Sequence, residues 1–284
     1  MRDEKLNMAG GDANDRRRPA GFGGGTSSLA LLLCCLVVCG LGRQPGFAAE
    51  AAKSSSDTNG IALPRPTRVS RESLPAGLLR PAPESIADLR AIEASVKVLV
   101  KKVSPATVAV EVGGATGSGV IISSNGLVLT AAHVAGGPDR KVTFTFPDGK
   151  RVRGKTVGSD ENSDAGLMRI TEGGPWPFVP LGELETAKVG DWVLALGHPG
   201  GFDSRRSLVV RLGRLLRIRG DSLQSDCTIS PGDSGGPLFD MHGRVIGIHT
   251  TISGSMSENF HVPITKFYSE WDEIIPAAKV EEGT

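Results

Sequence analysis

Apolar positions along this chain keep two different periods. Between Ser85 and Lys102, Ile86, Leu89, Ile92, Val96 and Leu99 recur at steps of three and four, which predicts an amphipathic helix that Pro105 stops. From Thr107 onward the runs are short, rich in β-branched residues and separated by turn residues. They predict strands at Thr107–Val112, Ser118–Ile122, Leu127–Thr130, Lys141–Phe146, Arg151–Ser159 and Leu167–Thr171. Asn125-Gly126 and Asp148-Gly149 supply residues that tolerate positive φ, so each reads as a hairpin turn. Gly173-Gly174-Pro175-Trp176-Pro177 is too rich in Gly and Pro for a strand and reads as a crossover. A second set follows at Trp192–Leu196, Leu208–Val210, Leu215–Ile218, Pro237–Phe239, Val245–Thr250 and Phe260–Pro263, with a hairpin expected around Gly213. Thr265–Ile275 reads as a closing helix and 279–284 as a frayed tail. The pattern predicts an all-β class with one helix at each end.

The first eighty residues follow neither period. Arg16-Arg17-Arg18 precede an uncharged apolar run, Leu29–Leu41, and then small residues around Ala48-Ala49. That order reads residues 1–49 as an export signal, or as a membrane anchor over 29–42 if it is retained. A spanning helix usually needs about 20 apolar residues, and this run is shorter. Residues 50–83, rich in Ser, Pro and Ala, read as a disordered linker. Of the four cysteines, Cys34, Cys35 and Cys39 lie in the leader, so Cys227 is alone after it and no internal disulfide can form. The 38 glycines and single tyrosine suit a turn-rich β protein, and a net charge of +1 gives no reason to expect nucleic acid. No CxxC or HExxH spacing supports a metal site, and no cofactor is expected.

Chemistry gathers in three segments: Thr130-Ala131-Ala132-His133, Ser163-Asp164 and Gly232-Asp233-Ser234-Gly235-Gly236. A serine hydroxyl barely ionises at neutral pH and needs a base to attack a carbonyl. His133 is the candidate base, Asp164 the group that sets its tautomer, and Ser234 the nucleophile. Gly232, lacking Cβ, lets the turn aim its own N–H and that of Ser234 at one point, a candidate oxyanion hole.

With these segments in view, the chain resembles the trypsin-like serine proteases and is most similar to their bacterial HtrA/Deg branch. The resemblance rests on Val103-Ser104-Pro105-Ala106, Gly117-Ser118-Gly119-Val120-Ile121-Ile122, Asn125 to His133, Asp164-Ala165-Gly166-Leu167, Gly197-His198-Pro199-Gly200 and Ser230 to Leu238. It spans Ile92 to Ile275. It implies two six-stranded antiparallel Greek-key barrels with the site between them, a protease domain over 84–278, and barrels over about 105–172 and 188–264. It also implies polypeptide substrates and a periplasmic or extracellular location. The pocket beside the serine would be lined by Thr228, Thr250, Thr251 and Ile252. With no acid at Thr228, cleavage is expected after small or medium aliphatic residues.

The chain departs from the branch in three places. Asp233 stands where Asn is usual, and no Ile-Val-Gly-Gly sequence is available to pair with it, so a local hydrogen bond is expected instead. Ala165-Gly166 replaces a larger residue followed by Ala. Only residues 264–284 follow the last strand, too few for the PDZ domain common in relatives. The run Arg205, Arg206, Arg211, Arg214, Arg217, Arg219 reads as a solvated hairpin face rather than an anion site. Histidines 198, 242, 249 and 261 read as structural. The rival to a peptidase is a protease-like scaffold that binds peptides or partners without cutting them; an esterase is a third reading.

Overall fold

The computed structural model describes residues 61–206, 208–252 and 258–275. The leader at 1–49, the first part of the linker and the tail at 279–284 lie outside the described residues. Helix α2, Ile86–Val103, opens on Ser85, whose hydroxyl accepts the Asp88 N–H at 3.1 Å as an N-cap. Its Ile92, Leu99 and Val103 are buried, whereas Ile86 and Leu89 overhang the barrel at 70% and 54% exposure. The apolar stripe is therefore used only from Ile92 onward.

Twelve strands follow and close into two six-stranded antiparallel barrels. The first contains β1 (Thr107–Val112), β2 (Ala115–Ile121), β3 (Leu127–Ala131), β4 (Lys141–Thr145), β5 (Arg151–Asp160) and β6 (Ala165–Ile170). Its order is β1-β2-β3-β6-β5-β4, with β4 returning to pair with β1. The second contains β7 (Trp192–Gly197), β8 (Val209–Ile218), β9 (Leu223–Ser225), β10 (Pro237–Asp240), β11 (Val245–Ile252) and β12 (Asn259–Pro263). It repeats the same order, β7-β8-β9-β12-β11-β10, with β10 closing on β7. Closure leaves neither sheet an open edge. Phe144, Leu129, Leu167 and Met168 are fully buried in the first barrel; Val193, Leu215, Leu223, Leu238 and Ile246 fill the second.

Four expectations change. The hairpin around Gly213 does not exist: β8 runs straight through it, paired with β7 from Trp192↔Arg214 to Gly197↔Val209. Gly213 is needed for space, because a Cβ there would collide with Asp226 Oδ1 and Cys227 Sγ. The basic run is not a solvated face throughout. The Arg214 guanidinium stacks 3.5 Å over the Trp192 ring and donates to the Gly190 and Pro81 carbonyls, and Arg211 turns inward. Residues 61–83, expected to be disordered, form an ordered strap with a short helix α1, Ala76–Leu79. Long-range partners hold the strap: Thr67 N–H donates to Leu181 O at 2.8 Å, Arg244 donates to Thr67 O at 2.6 Å, and the Tyr268 hydroxyl donates to Pro64 O at 2.6 Å. The closing helix is two short pieces, α4 (Ile264–Ser269) and α5 (Trp271–Ile274), and another one-turn helix, α3 (Ala132–Ala135), lies in the first barrel.

Candidate active site

His133 stands in α3, two residues beyond Ala131, where β3 ends. Asp164 stands in the turn between β5 and β6. Pairing of β3 with β6 sets Ala131 opposite Ala165, so sheet register alone brings the two residues together. The turn is built by Asp160, whose carboxylate accepts the Ser163 N–H at 3.0 Å and the Asn162 N–H at 3.2 Å. Asp160 is thereby engaged, and Asp164 faces the imidazole. Asp164 adopts a left-handed backbone, φ 56°, which short polar side chains tolerate better than others.

The carboxylate of Asp164 collects three donors. His133 Nδ1 lies 3.0 Å from both Oδ1 and Oδ2, the His133 backbone N–H donates to Oδ1 at 3.0 Å, and Thr250 Oγ1 donates to Oδ2. Burial pushes this carboxyl up, but the hydrogen bonds from His133 and Thr250 outweigh it and leave it below the usual carboxylate range. The same contact with Asp164 raises the His133 pKa above its ordinary value, against the opposing effect of burial. With Nδ1–H directed to the carboxylate, the neutral ring presents its Nε2 lone pair, the state a general base needs.

Ser234 comes from the second barrel, in the turn between β9 and β10. No hydrogen bond joins it to His133; its hydroxyl meets the Thr250 carbonyl at 3.5 Å. Such contacts in free enzymes are often long and tighten with substrate. The turn is fastened to the first barrel through Ser118 of β2, which is fully buried. Ser118 N–H donates to the Ser234 carbonyl at 2.8 Å, and its hydroxyl donates to the Gly232 carbonyl at 2.8 Å.

Peptide planarity then decides where the turn's N–H groups point. The Pro231 carbonyl accepts the Gly200 N–H at 2.8 Å, and the Asp233 carbonyl accepts the Gly236 N–H at 2.8 Å. In a trans peptide the N–H of the next residue points the opposite way, so the N–H groups of Gly232 and Ser234 are both left facing away from these anchors. Gly232 has φ +95°, and a Cβ on it would strike the Gly200 nitrogen, so the arrangement requires glycine.

A family profile described as a trypsin-like peptidase domain matches residues 117–248. Residues 117–248 thus form a trypsin-like peptidase domain, similar to the serine proteases of the HtrA/Deg family. It is 40% identical over 177 residues to "Probable periplasmic serine endoprotease DegP-like" of Pseudomonas putida, covering 59% of this chain and 36% of that one. A protein of the same description from Hahella chejuensis is 35% identical over 176 residues, covering 59% and 37%. The chain thus spans just over a third of the length of the curated relatives it matches. Among solved structures it is similar to the serine endoprotease from Yersinia pestis, with TM-score 0.56, 28% identity and 63% and 66% of the two chains covered. It is also similar to the HtrA-type protease AlgW with a tripeptide, with TM-score 0.53, 28% identity and 62% and 63% covered.

Within this trypsin-like fold the remaining sequence-predicted residues fall as follows. Thr250 is half-buried with its hydroxyl on Asp164, so that side chain serves the carboxylate rather than a pocket wall. Thr228 is half-buried, while Thr251 and Ile252 are exposed at the end of β11. Asp226 is committed elsewhere, accepting the Arg214 N–H at 2.6 Å. His249 and His261 form a buried pair, Nδ1 to Nδ1 at 2.9 Å, and His261 Nε2 meets Ser225 Oγ at 2.8 Å. Burial lowers His261 to about 3 and His198 to about 4, so both are neutral near pH 7. Among the described residues no group of three or more His, Cys, Asp or Glu side chains could hold a metal. Sequence reasoning missed Ser118, Thr250 as a donor, and Gly200. Ser118 and Gly200 lie in motifs that carry the resemblance, but the role of each of the three was hidden because it acts across a barrel or between barrels.

Proposed function

We propose that this chain is an exported serine endopeptidase that hydrolyses peptide bonds through an acyl-enzyme. Ser234 Oγ attacks the scissile carbonyl while His133 Nε2 takes its proton, and the C–N bond breaks as the imidazolium returns that proton to the leaving amine. Water, activated by the same imidazole, then releases the acyl group. Asp164 orients the ring and stabilises its cation, and the N–H groups of Gly232 and Ser234 receive the oxyanion, a role worth about 10²–10³ in rate per donor. The observation that carries the reading is the His133 Nδ1 contact with Asp164 at 3.0 Å, with Thr250 touching both Asp164 and the Ser234 hydroxyl.

The substrate is a polypeptide. Uncharged Thr228, and an Asp226 carboxylate already occupied by the Arg214 N–H, leave no acid for a cationic side chain. Cleavage is therefore expected after Val, Ala or Leu. Mass spectrometry of a casein digest tests this; predominant cleavage after Lys or Arg refutes the pocket assignment. Residues 1–49 direct export, in keeping with the periplasmic relatives, and N-terminal sequencing of material from a native-like host should find the mature chain starting near residue 50.

A fluorophosphonate probe tests the chemistry. Labelling of the wild type, abolished in Ser234→Ala, is the expected result; a folded wild type that takes no label supports a binding scaffold instead. Comparing acyl esters with peptides on the labelled enzyme separates a peptidase from an esterase.

A further inference from the structure

The residue beside the nucleophile carries a charge that the reaction scheme above does not use. Asp233 is 0% exposed, yet it is a carboxylate. Its Oδ2 accepts the Ser230 N–H at 2.8 Å, which ties the start of the serine turn to its end. Both its oxygens face one guanidinium: Arg211 Nη1 lies 3.1 Å from Oδ1, and Nη2 lies 2.8 Å from Oδ2. Arg211 projects from β8 with only 18% of its side chain exposed, so this fork-to-fork contact is largely shielded from water.

The neighbouring strand is shaped around the pair. A Cβ on Gly197 of β7 would collide with Asp233 Oδ1, so glycine there opens the space that the carboxylate occupies. The other cation nearby, Arg206, is committed to the Pro199 and Gly201 carbonyls. Burial pushes the Asp233 carboxyl above its ordinary value, with the Arg211 charge opposing it. A buried carboxylate stripped of its cation is strongly unfavourable. Taking up a proton or swinging towards water would relieve it; either loosens its grip on the turn, and the swing also rotates the peptides on either side of Asp233. The second of those peptides carries the Ser234 N–H, and the first carries the Gly232 carbonyl that Ser118 holds.

We infer that Arg211 is the positioning residue of the oxyanion hole: by clamping Asp233 it holds residues 230–234 with the Gly232 and Ser234 N–H groups convergent. The site is thus assembled by an ion pair internal to the second barrel, without a ligand or a newly cut chain terminus to supply the cation. This rests on the serine-hydrolase reading above.

The test compares wild type, Arg211→Met and the charge-free double variant Arg211→Gln/Asp233→Asn, all in the full chain. Folding is read by circular dichroism, acylation by fluorophosphonate labelling rate, and turnover on a peptide substrate as kcat and KM separately. Arg211→Met is expected to lower kcat and labelling rate together by about 10²-fold, the worth of one lost donor, with KM within about threefold. The double variant removes the buried charge together with its partner and so keeps a folded form available if Arg211→Met collapses. It should still lose at least about tenfold in kcat, because neutral amides clamp the turn less tightly. A folded variant of either kind that acylates at the wild-type rate overturns the inference and leaves Arg211 a stability residue only. If instead the wild type takes no label, it is the hydrolase reading that fails.

Discussion

The two halves of the site are held by different means. On the first barrel, His133 and Asp164 are placed by sheet register: β3 pairs with β6, and each residue sits just past the paired ends. On the second, the serine turn is paired with β11 only just after the serine, where Gly235 and Gly236 bond the His249 backbone, and residues 230–234 hang from separate polar pins, Ser118, Gly200 and Arg211. A register involves many backbone hydrogen bonds and yields to no single side chain. A turn held by a few pins is open to loss by one substitution. The base side should therefore fail outright only when its own chemistry is removed, losing little with a distant anchor such as Thr250, and the nucleophile side should fall further when one of its anchors is removed.

The largest effects remove the reacting groups. Ser234→Ala and His133→Ala should each cut kcat by about 10⁶-fold, with the double variant little worse, because nucleophile and base act as one unit. Steady-state kinetics on a peptide substrate checks this, and additive losses would mean that the two do not share a step.

Next comes Asp164→Asn, which keeps the shape but alters the hydrogen-bond polarity at Nδ1. A loss of about 10⁴-fold in kcat is expected. The pH profile sharpens the same point. Because Asp164 raises the His133 pKa, the protonated, inactive ring persists to higher pH, and the acid limb of kcat/KM should lie above about 6.5 in the wild type. In Asp164→Asn residual activity the limb should move down; an unmoved limb would separate His133 from the observed ionisation.

Thr250→Val probes the bridge between the halves, since the Thr250 hydroxyl reaches Asp164 and its carbonyl meets Ser234. Only the hydroxyl is lost, so kcat should fall on the order of tenfold, the equivalent of about 1.4 kcal/mol. An intact kcat would show that the carboxylate is adequately held by His133 alone.

The smallest effect lies outside both halves. Tyr268→Phe deletes the bond to Pro64 that fastens the strap, and about 1 kcal/mol of stability should go with it. Thermal unfolding should show a lower Tm with kcat unchanged; a fall in kcat would tie the strap to the site.

Much of this was legible before any coordinates. The helix over Ile86–Val103 follows from its three- and four-residue steps, and most strands from short β-branched runs bounded by Asn-Gly, Asp-Gly and similar turns. The pairing of His133 with Asp164 was readable from motif and chain order, although Asp160 and Glu161 crowd the same loop and only the turn geometry shows Asp160 occupied by Ser163. Two misreadings share one cause. Gly213 looks like a turn in a one-dimensional pattern, yet it serves the close approach of Asp226 and Cys227. The Pro-rich stretch at 61–83 looks unstructured because it has no period of its own, and its order comes from Arg244 and Tyr268 far along the chain.

The amino-acid order by itself determined the short-range features: which runs form strands, where glycine permits a turn, and which three residue types can combine as acid, base and nucleophile. Those depend on φ/ψ preference and side-chain chemistry over a few neighbouring positions. Only the tertiary structure decided the direction of the Gly232 and Ser234 N–H groups, the donor that Thr250 lends to Asp164, and the inward turn of Arg211 out of a run of six arginines. Apart from the Ser234 N–H, whose peptide is fixed by the nearby Gly236, each of these depends on a partner tens of residues away, set by barrel closure, and a buried charge or a planar peptide takes its orientation from the partner it meets there.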